Sequence, residues 1–223
     1  MRSLRQVAAI VWKDIVAELR TKDIFSAMFV FALLAILIFE FAFDLRVDNV
    51  REVAPGVLWV AISFAGVLGL SRSFSLEKDK GSIEGLLLAP LDRSVIYFGK
   101  MLGNLSFMLA TEALVVPLFI VLFNLPLYLP GLLLVVLLGT LGFAAVGTLF
   151  AAMTANTRAR EVLLPILLFP VLVPVLISAV KLTGGFLDNI PLQENINWLR
   201  ILIVFDVVFL AIAYMTFDYV VEE

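Results

Sequence analysis

PGLLLVVLLGTLGFAAVGTLFAAM, from Pro130 to Met153, carries no charged side chain. A spanning helix needs about 20 mostly apolar residues. This stretch meets that length, and nothing in it could face water at a fold's surface. It also places Gly139, Gly142 and Gly147 beside Ala144 and Ala145, a small-residue surface suited to close helix approach. Working outward, five more runs of the same kind appear: Ile24–Phe43, Val53–Leu70, Tyr97–Phe123, Val162–Val180 and Ile201–Tyr219. Hydrophobic residues make up 62% of the 223, above the roughly 45–50% of soluble domains. Charged residues fall to 16% and cluster between the runs. The fold class expected is an all-α polytopic membrane protein with six transmembrane helices.

Orientation follows from Lys and Arg. Arg2, Arg5, Lys13, Arg20 and Lys22 precede the first span, Arg72, Lys78, Lys80 and Arg93 follow the second, and Arg158 and Arg160 follow the fourth. These eleven lie on one side, against Arg46, Arg51, Lys181 and Arg200 on the other. Both termini are therefore expected in the cytoplasm of a multi-pass inner (plasma) membrane protein. Lys100, just inside the third span, is expected to snorkel to the same basic side. No small-residue cleavage site follows the first run, so it reads as a retained span rather than a signal peptide.

Residues 1–23 are expected to form a separate unit before the membrane-spanning domain of residues 24–223. Leu4, Val7, Ala8, Val11, Ile15 and Leu19 recur at three- and four-residue spacing, with Trp12 flanking the stripe. The pattern predicts an amphipathic helix in the membrane interface. A helix packed on another subunit would show the same stripe.

One polar stretch breaks the apolar pattern at length: SRSFSLEKDKGSIEGLLLAPLDRSVIYFGK, Ser71 to Lys100, with its loop over residues 71–96. Glu77 belongs to a mixed-charge helical extension of the second span. Gly81 breaks that helix, and Ser82 is placed to cap a new one. Ile83, Glu84, Gly85, Leu86, Leu87 and Leu88 make the new helix short and apolar, and Pro90 stops it. Asp92 or Ser94 can cap the third span. Three consecutive leucines too short to span must face the lipid interface, the rest of the chain, or a partner's groove.

The chain has no cysteine and no histidine, which removes disulfides, thiolate chemistry, and the commonest general base and haem ligand. No metal site and no catalytic group are expected. Gly99-Lys100 is followed by Met101, and Ser94 stands where a phosphate-binding loop needs its first glycine, so ATP hydrolysis by that route is excluded. Glu40, Glu112 and Asp206 lie within spans, where an acid needs a partner, a proton or water. They are candidates for a polar outer cavity; Asp206 could instead pair with Arg200 or Lys181. Asn104, two turns before Glu112, is expected to make an interhelical hydrogen bond. Pro165, Pro170 and Pro174 are expected to bend the fifth span, and Gly184-Gly185 suggests a short re-entrant or interfacial hairpin within Lys181–Arg200.

LEKDKGSIEGLLLAPLDRSVIYFGK resembles the segment after the second span of type-2 ABC-transporter permeases. More narrowly, APGVLWV at Ala54–Val60, GLSRSF at Gly69–Phe74 and EGLLLAPLDRSVIYFGK at Glu84–Lys100 resemble the CcmB family, the membrane subunits of a haem-exporter system for cytochrome c maturation. The resemblance implies a coupling helix around Ser82–Pro90 that docks on a separate ABC ATP-binding subunit. It also implies haem-handling membrane partners and a homodimer within the complex. On this reading ATP is bound by the partner, haem is handled by the complex, this chain binds no cofactor itself, and no nucleic acid is involved. Two rivals stay open: a type-2 permease exporting a lipid, drug or polysaccharide, and a proton-coupled secondary transporter built on the intramembrane acids. No inverted repeat favours the second.

Overall fold

A computed structural model describes residues 2–44, 50–79, 85–86, 88–125, 129–155, 157 and 159–220. Seven long helices follow in order: α1 (Arg2–Thr21), α2 (Asp23–Asp44), α3 (Val50–Asp79), α4 (Arg93–Leu122), α5 (Leu129–Thr154), α6 (Arg160–Leu187) and α7 (Leu192–Val220). Six of them, α2 to α7, are long and apolar enough to cross a membrane. No strand occurs among the described residues. The protein is an all-α, multi-pass membrane protein.

The interior belongs to α3 and α5. In each, 72% of the apolar window is buried, against 22% for α2 and 28% for α7. The small-residue face of α5 explains its place. A side chain at Gly139 would collide with the Trp59 ring, one at Gly147 with Leu70, and one at Gly142 with Asp206. Glycine at these positions lets α3 and α7 approach the α5 backbone, and packing of this kind drives helix association in lipid. Two side-chain hydrogen bonds tie α5 to α4: Asn104 Nδ2 donates to Thr148 Oγ1 at 3.0 Å, and Thr140 Oγ1 donates to Glu112 Oε1 at 2.8 Å. Tyr97 adds a third tie, donating to the Ala145 carbonyl at 3.0 Å. At the opposite end, Trp59 Nε1 donates to Thr183 Oγ1 at 3.0 Å and joins α3 to α6.

Past Leu70, α3 continues to Asp79 as the charged extension expected of the second span, with Ser73 and Phe74 buried. One expectation needs correction. No re-entrant hairpin fills Lys181–Arg200. Helix α6 runs through Gly184 and Gly185 to Leu187, a turn at Asp188–Asn189 follows, and α7 begins at Leu192. Gly185 is there because Asn195 of α7 packs where its side chain would be. Pro165, Pro170 and Pro174 all lie inside α6, which remains one continuous helix.

Asp92 does occupy the N-cap of α4, with extended backbone, yet its side chain makes no capping bond; its carbonyl instead accepts from Val95 N at 2.9 Å.

Candidate functional site

The basic end of the bundle is organised around the two roots of the α3–α4 loop. Glu77 stands two residues before the end of α3, and Lys100 sits two turns into α4. Lys100 is buried, with its side chain 4% exposed, and it contacts Glu77 directly. Its Nζ also donates to Asp14 Oδ2 at 2.9 Å and Oδ1 at 3.2 Å. Lys13 closes the group, 2.9 Å from Glu77 Oε1 and 3.1 Å from Asp14 Oδ1. Two cations and two anions share one site, so the buried charges compensate each other. Lys100 therefore does not snorkel into headgroup water. The reason is local: Asp14 and Glu77 offer it carboxylates within reach, and a paired buried ammonium needs no solvent.

Helix α1 reaches this site because α4 has glycine at two successive turns. A side chain at Gly99 would lie 2.7 Å from Ile10, and one at Gly103 would lie 3.2 Å from Asp14 Oδ2. Ile10 and Asp14, one turn apart on α1, seat over Gly99 and Gly103, one turn apart on α4. The expected apolar stripe of α1 is consequently divided. Val7, Ile10 and Ile15 pack toward the bundle, whereas Leu4, Trp12 and Leu19 are exposed.

The joint between α1 and α2 is equally defined. Lys22 adopts φ 58°, and its N–H donates to the Glu18 carbonyl at 2.7 Å. The Glu18 side chain then accepts from Phe25 N at 2.8 Å, satisfying an orphan donor of the first turn of α2. Burial pushes the Glu18 carboxyl above its ordinary range, against the pull of the Phe25 and Ile24 amides. For Lys13, desolvation pulls the ammonium down, but Glu77 and Asp14 outweigh it and the net displacement is upward.

Other cations flanking the loop bind helix ends. Lys78 Nζ donates to the Ala155 carbonyl beyond α5 at 2.9 Å, and Arg93 donates to the Asp218 carbonyl near the end of α7 at 3.0 Å. Arg72 donates to the Asp23 carbonyl at the start of α2 at 3.2 Å. For Lys78 and Arg93 the contact is favourable because the last carbonyls of a helix lack internal donors.

Of the loop residues singled out from sequence, Gly81, Ser82, Ile83, Glu84 and Leu87 lie outside the described residues. Gly85 is exposed in a short helical piece with Leu86, and Leu86 is half-buried against the core. Leu88 is 87% exposed and Pro90 is exposed. Glu77 is turned inward to Lys13 and Lys100 rather than outward. A cavity of about 230 Å³ opens beside this cluster, between Lys13, Glu18, Ile24, Ser73, Glu77 and Phe107.

The intramembrane candidates separate. Asn104 makes the expected interhelical bond, to Thr148. Glu112 is 5% exposed and bonded to Thr140; the space beside it is about 10 Å³ with mostly apolar walls, room for one water at most. Asp206 is 3% exposed, and neither carboxyl oxygen has a hydrogen-bond partner among the described residues. It does not pair with Arg200 or Lys181, because it points at Gly142 on α5. Glu40 is half-buried on α2.

Sequence reasoning missed Asp14, Thr140, Thr148 and Glu18. Gly99 and Gly103 four apart around a lysine were the available signal for the α1 seat. The threonines carried none, since threonine is common in spans and often bonds its own helix.

The profile of the CcmB family, described as CcmB protein, matches residues 5–222. The chain belongs to the CcmB family. Three relatives named Heme exporter protein B illustrate the likeness. That of Rhodobacter capsulatus is 31% identical over 187 residues, covering 83% of this chain and 85% of its own. Those of Pseudomonas aeruginosa and Paracoccus denitrificans are 30% and 31% identical over 171 residues, 76% of this chain in each case and 77% and 78% of their own. In this CcmB-family chain, then, the best-connected polar feature is the pair of loop roots at Glu77 and Lys100.

Proposed function

We propose that this chain is the permease subunit of an ABC-type transporter complex for haem export or handling in c-type cytochrome biogenesis. The observation that carries the reading is the CcmB-family match over residues 5–222, together with relatives named Heme exporter protein B aligned over more than three quarters of their length. The chain sits in the inner membrane with both termini in the cytoplasm, and its 71–96 loop couples to a separate ATP-binding subunit. ATP is bound and hydrolysed there. Haem-handling membrane subunits and a second copy of this chain complete the complex. With no histidine in the sequence, haem is held by the complex without an imidazole from this chain.

Physics supports the loop as the docking element. Leu88 is an exposed apolar side chain beside Pro90, and burying a leucine against a partner contributes about 1.5–3 kcal/mol. The loop's flanks bind α1, α2, α4 and the ends of α5 and α7, so force applied to it reaches every part of the basic end. The exposed edge of α1, with Leu4, Trp12 and Leu19, is covered by the lipid interface.

The test is co-purification. Leu88→Asp should reduce recovery of the ATP-binding subunit about tenfold or more and abolish covalent haem attachment to c-type cytochromes, with this chain still inserted at normal level. Recovery of that subunit at wild-type stoichiometry would remove the loop from the interface.

A further inference from the structure

Between the loop and the membrane spans stands a cluster that the coupling reading does not by itself require. Glu77 and Lys100 lie on the two roots of the loop, and each is held by α1. Asp14 takes Lys100, Lys13 takes Glu77, and Lys100 contacts Glu77 directly. Three of its four members are mostly out of water, with side-chain exposure of 4% at Lys100, 10% at Asp14 and 15% at Glu77, and Lys13 closes the rim at 44%. Charges held this way cannot exchange partners with solvent at small cost, so the three helices keep one mutual geometry. Steric fit reinforces it, with Ile10 and Asp14 seated over Gly99 and Gly103. From the far end of α1 the chain passes through Glu18 and Lys22 directly into α2, without a flexible linker.

We infer that Asp14 and Lys100 are positioning residues that make α1 part of the coupling apparatus. A displacement of the α3–α4 loop is carried by Glu77 and Lys100 into α1, and through the Glu18–Phe25 joint into α2. The helix is therefore a lever between loop and membrane, and its role exceeds anchoring. This rests on the reading that the loop receives force from an ATP-hydrolysing subunit.

The chain has no native cysteine, which makes a direct test possible. A Cβ at position 103 would stand 3.7 Å from the Asp14 Cβ, inside the roughly 3.5–4.5 Å range of disulfides. The complex, reconstituted in lipid nanodiscs with its ATP-binding subunit, is compared as wild type, Asp14→Asn, and Asp14→Cys/Gly103→Cys under oxidising and reducing conditions. Two quantities are read: the amount of ATP-binding subunit retained, and the stimulation of ATP turnover by this chain. Asp14→Asn and the reduced cysteine pair should retain the ATP-binding subunit yet lose stimulation by about tenfold. Oxidation of the pair should recover at least half of it, since the disulfide restores the α1–α4 junction. A role confined to folding would instead lower retention and stimulation together.

Full stimulation in Asp14→Asn overturns the inference, as does an oxidised pair no better than the reduced one. Leu88→Asp serves as the separate arm. If it loses the ATP-binding subunit while Asp14→Asn behaves as wild type, the lever fails and the docking loop stands. If Leu88→Asp retains that subunit with full stimulation, both fail.

Discussion

Thr140 of α5 donates its hydroxyl to Glu112 of α4, lying 2.8 and 3.0 Å from the two carboxylate oxygens, eight residues from the parallel tie between Thr148 and Asn104. The two bonds join the same pair of antiparallel helices at matching intervals. Both acceptor and donor are buried in an apolar section of the bundle, so each bond fixes the register of α4 on α5.

Glu112→Gln should preserve this register, because the amide keeps a carbonyl oxygen for Thr140. Insertion and thermal stability in detergent should match wild type. Glu112→Leu should cost about 0.6 to 1.7 kcal/mol, the range for interhelical hydrogen bonds in membranes. Thr140→Val should cost less when added to Glu112→Leu than when made alone. Melting curves of the four chains measure this; an additive double variant would show that the two residues act separately.

Gly142 and Asp206 make the second pair. There is no room for a side chain at 142 beside Asp206 Oδ1. Gly142→Ala should therefore destabilise by on the order of 1–3 kcal/mol, the ordinary cost of overpacking. Adding Asp206→Ala should recover most of it by vacating the space, and it also removes a carboxyl without a hydrogen-bond partner among the described residues. The check is the thermal midpoint of the single and double variants in one detergent.

Glu18 gives a pH dependence. Its ordinary value is 4.5, and burial raises it in the folded chain. A raised acid favours the fold in its protonated form. That contribution is complete below the unfolded value and is lost as pH rises through the folded one. Glu18→Gln keeps an oxygen for the Phe25 amide without the charge. The variant should melt at or above wild type at neutral pH. Below 4.5 the two should converge, and a wild type more stable than the variant at neutral pH would contradict the assignment.

Topology can be measured on the same cysteine-free background. Asp188 lies in the exposed turn between α6 and α7, and Ser3 is exposed at the start of α1. A cysteine at 188 should react with a membrane-impermeant maleimide on intact cells, and one at 3 only after permeabilisation. Labelling of position 3 from outside would reverse the orientation.

By itself the sequence determined the number of membrane helices and the existence of α1. Both follow from local composition: about 20 apolar residues can only be satisfied by a bilayer, and a three-four stripe can only be one helix face. It also located the α3–α4 loop, because a charged stretch ending at Pro90 separates two apolar runs, a pattern that depends on neighbouring residues alone. What the stripe of α1 faces was decided by tertiary structure. Val7 and Leu19 look alike in the sequence, but only the first lies on the side where Gly99 and Gly103 let α4 come close. Lys100 reads as a cation near an interface until Asp14, 86 residues away, is brought within 2.9 Å. Asp206 reads as one half of an ion pair until α5 places Gly142 against it and leaves Arg200 and Lys181 elsewhere. Charge partners are set by three-dimensional distance, and a spacing along one helix holds no information about which helix lies beside it.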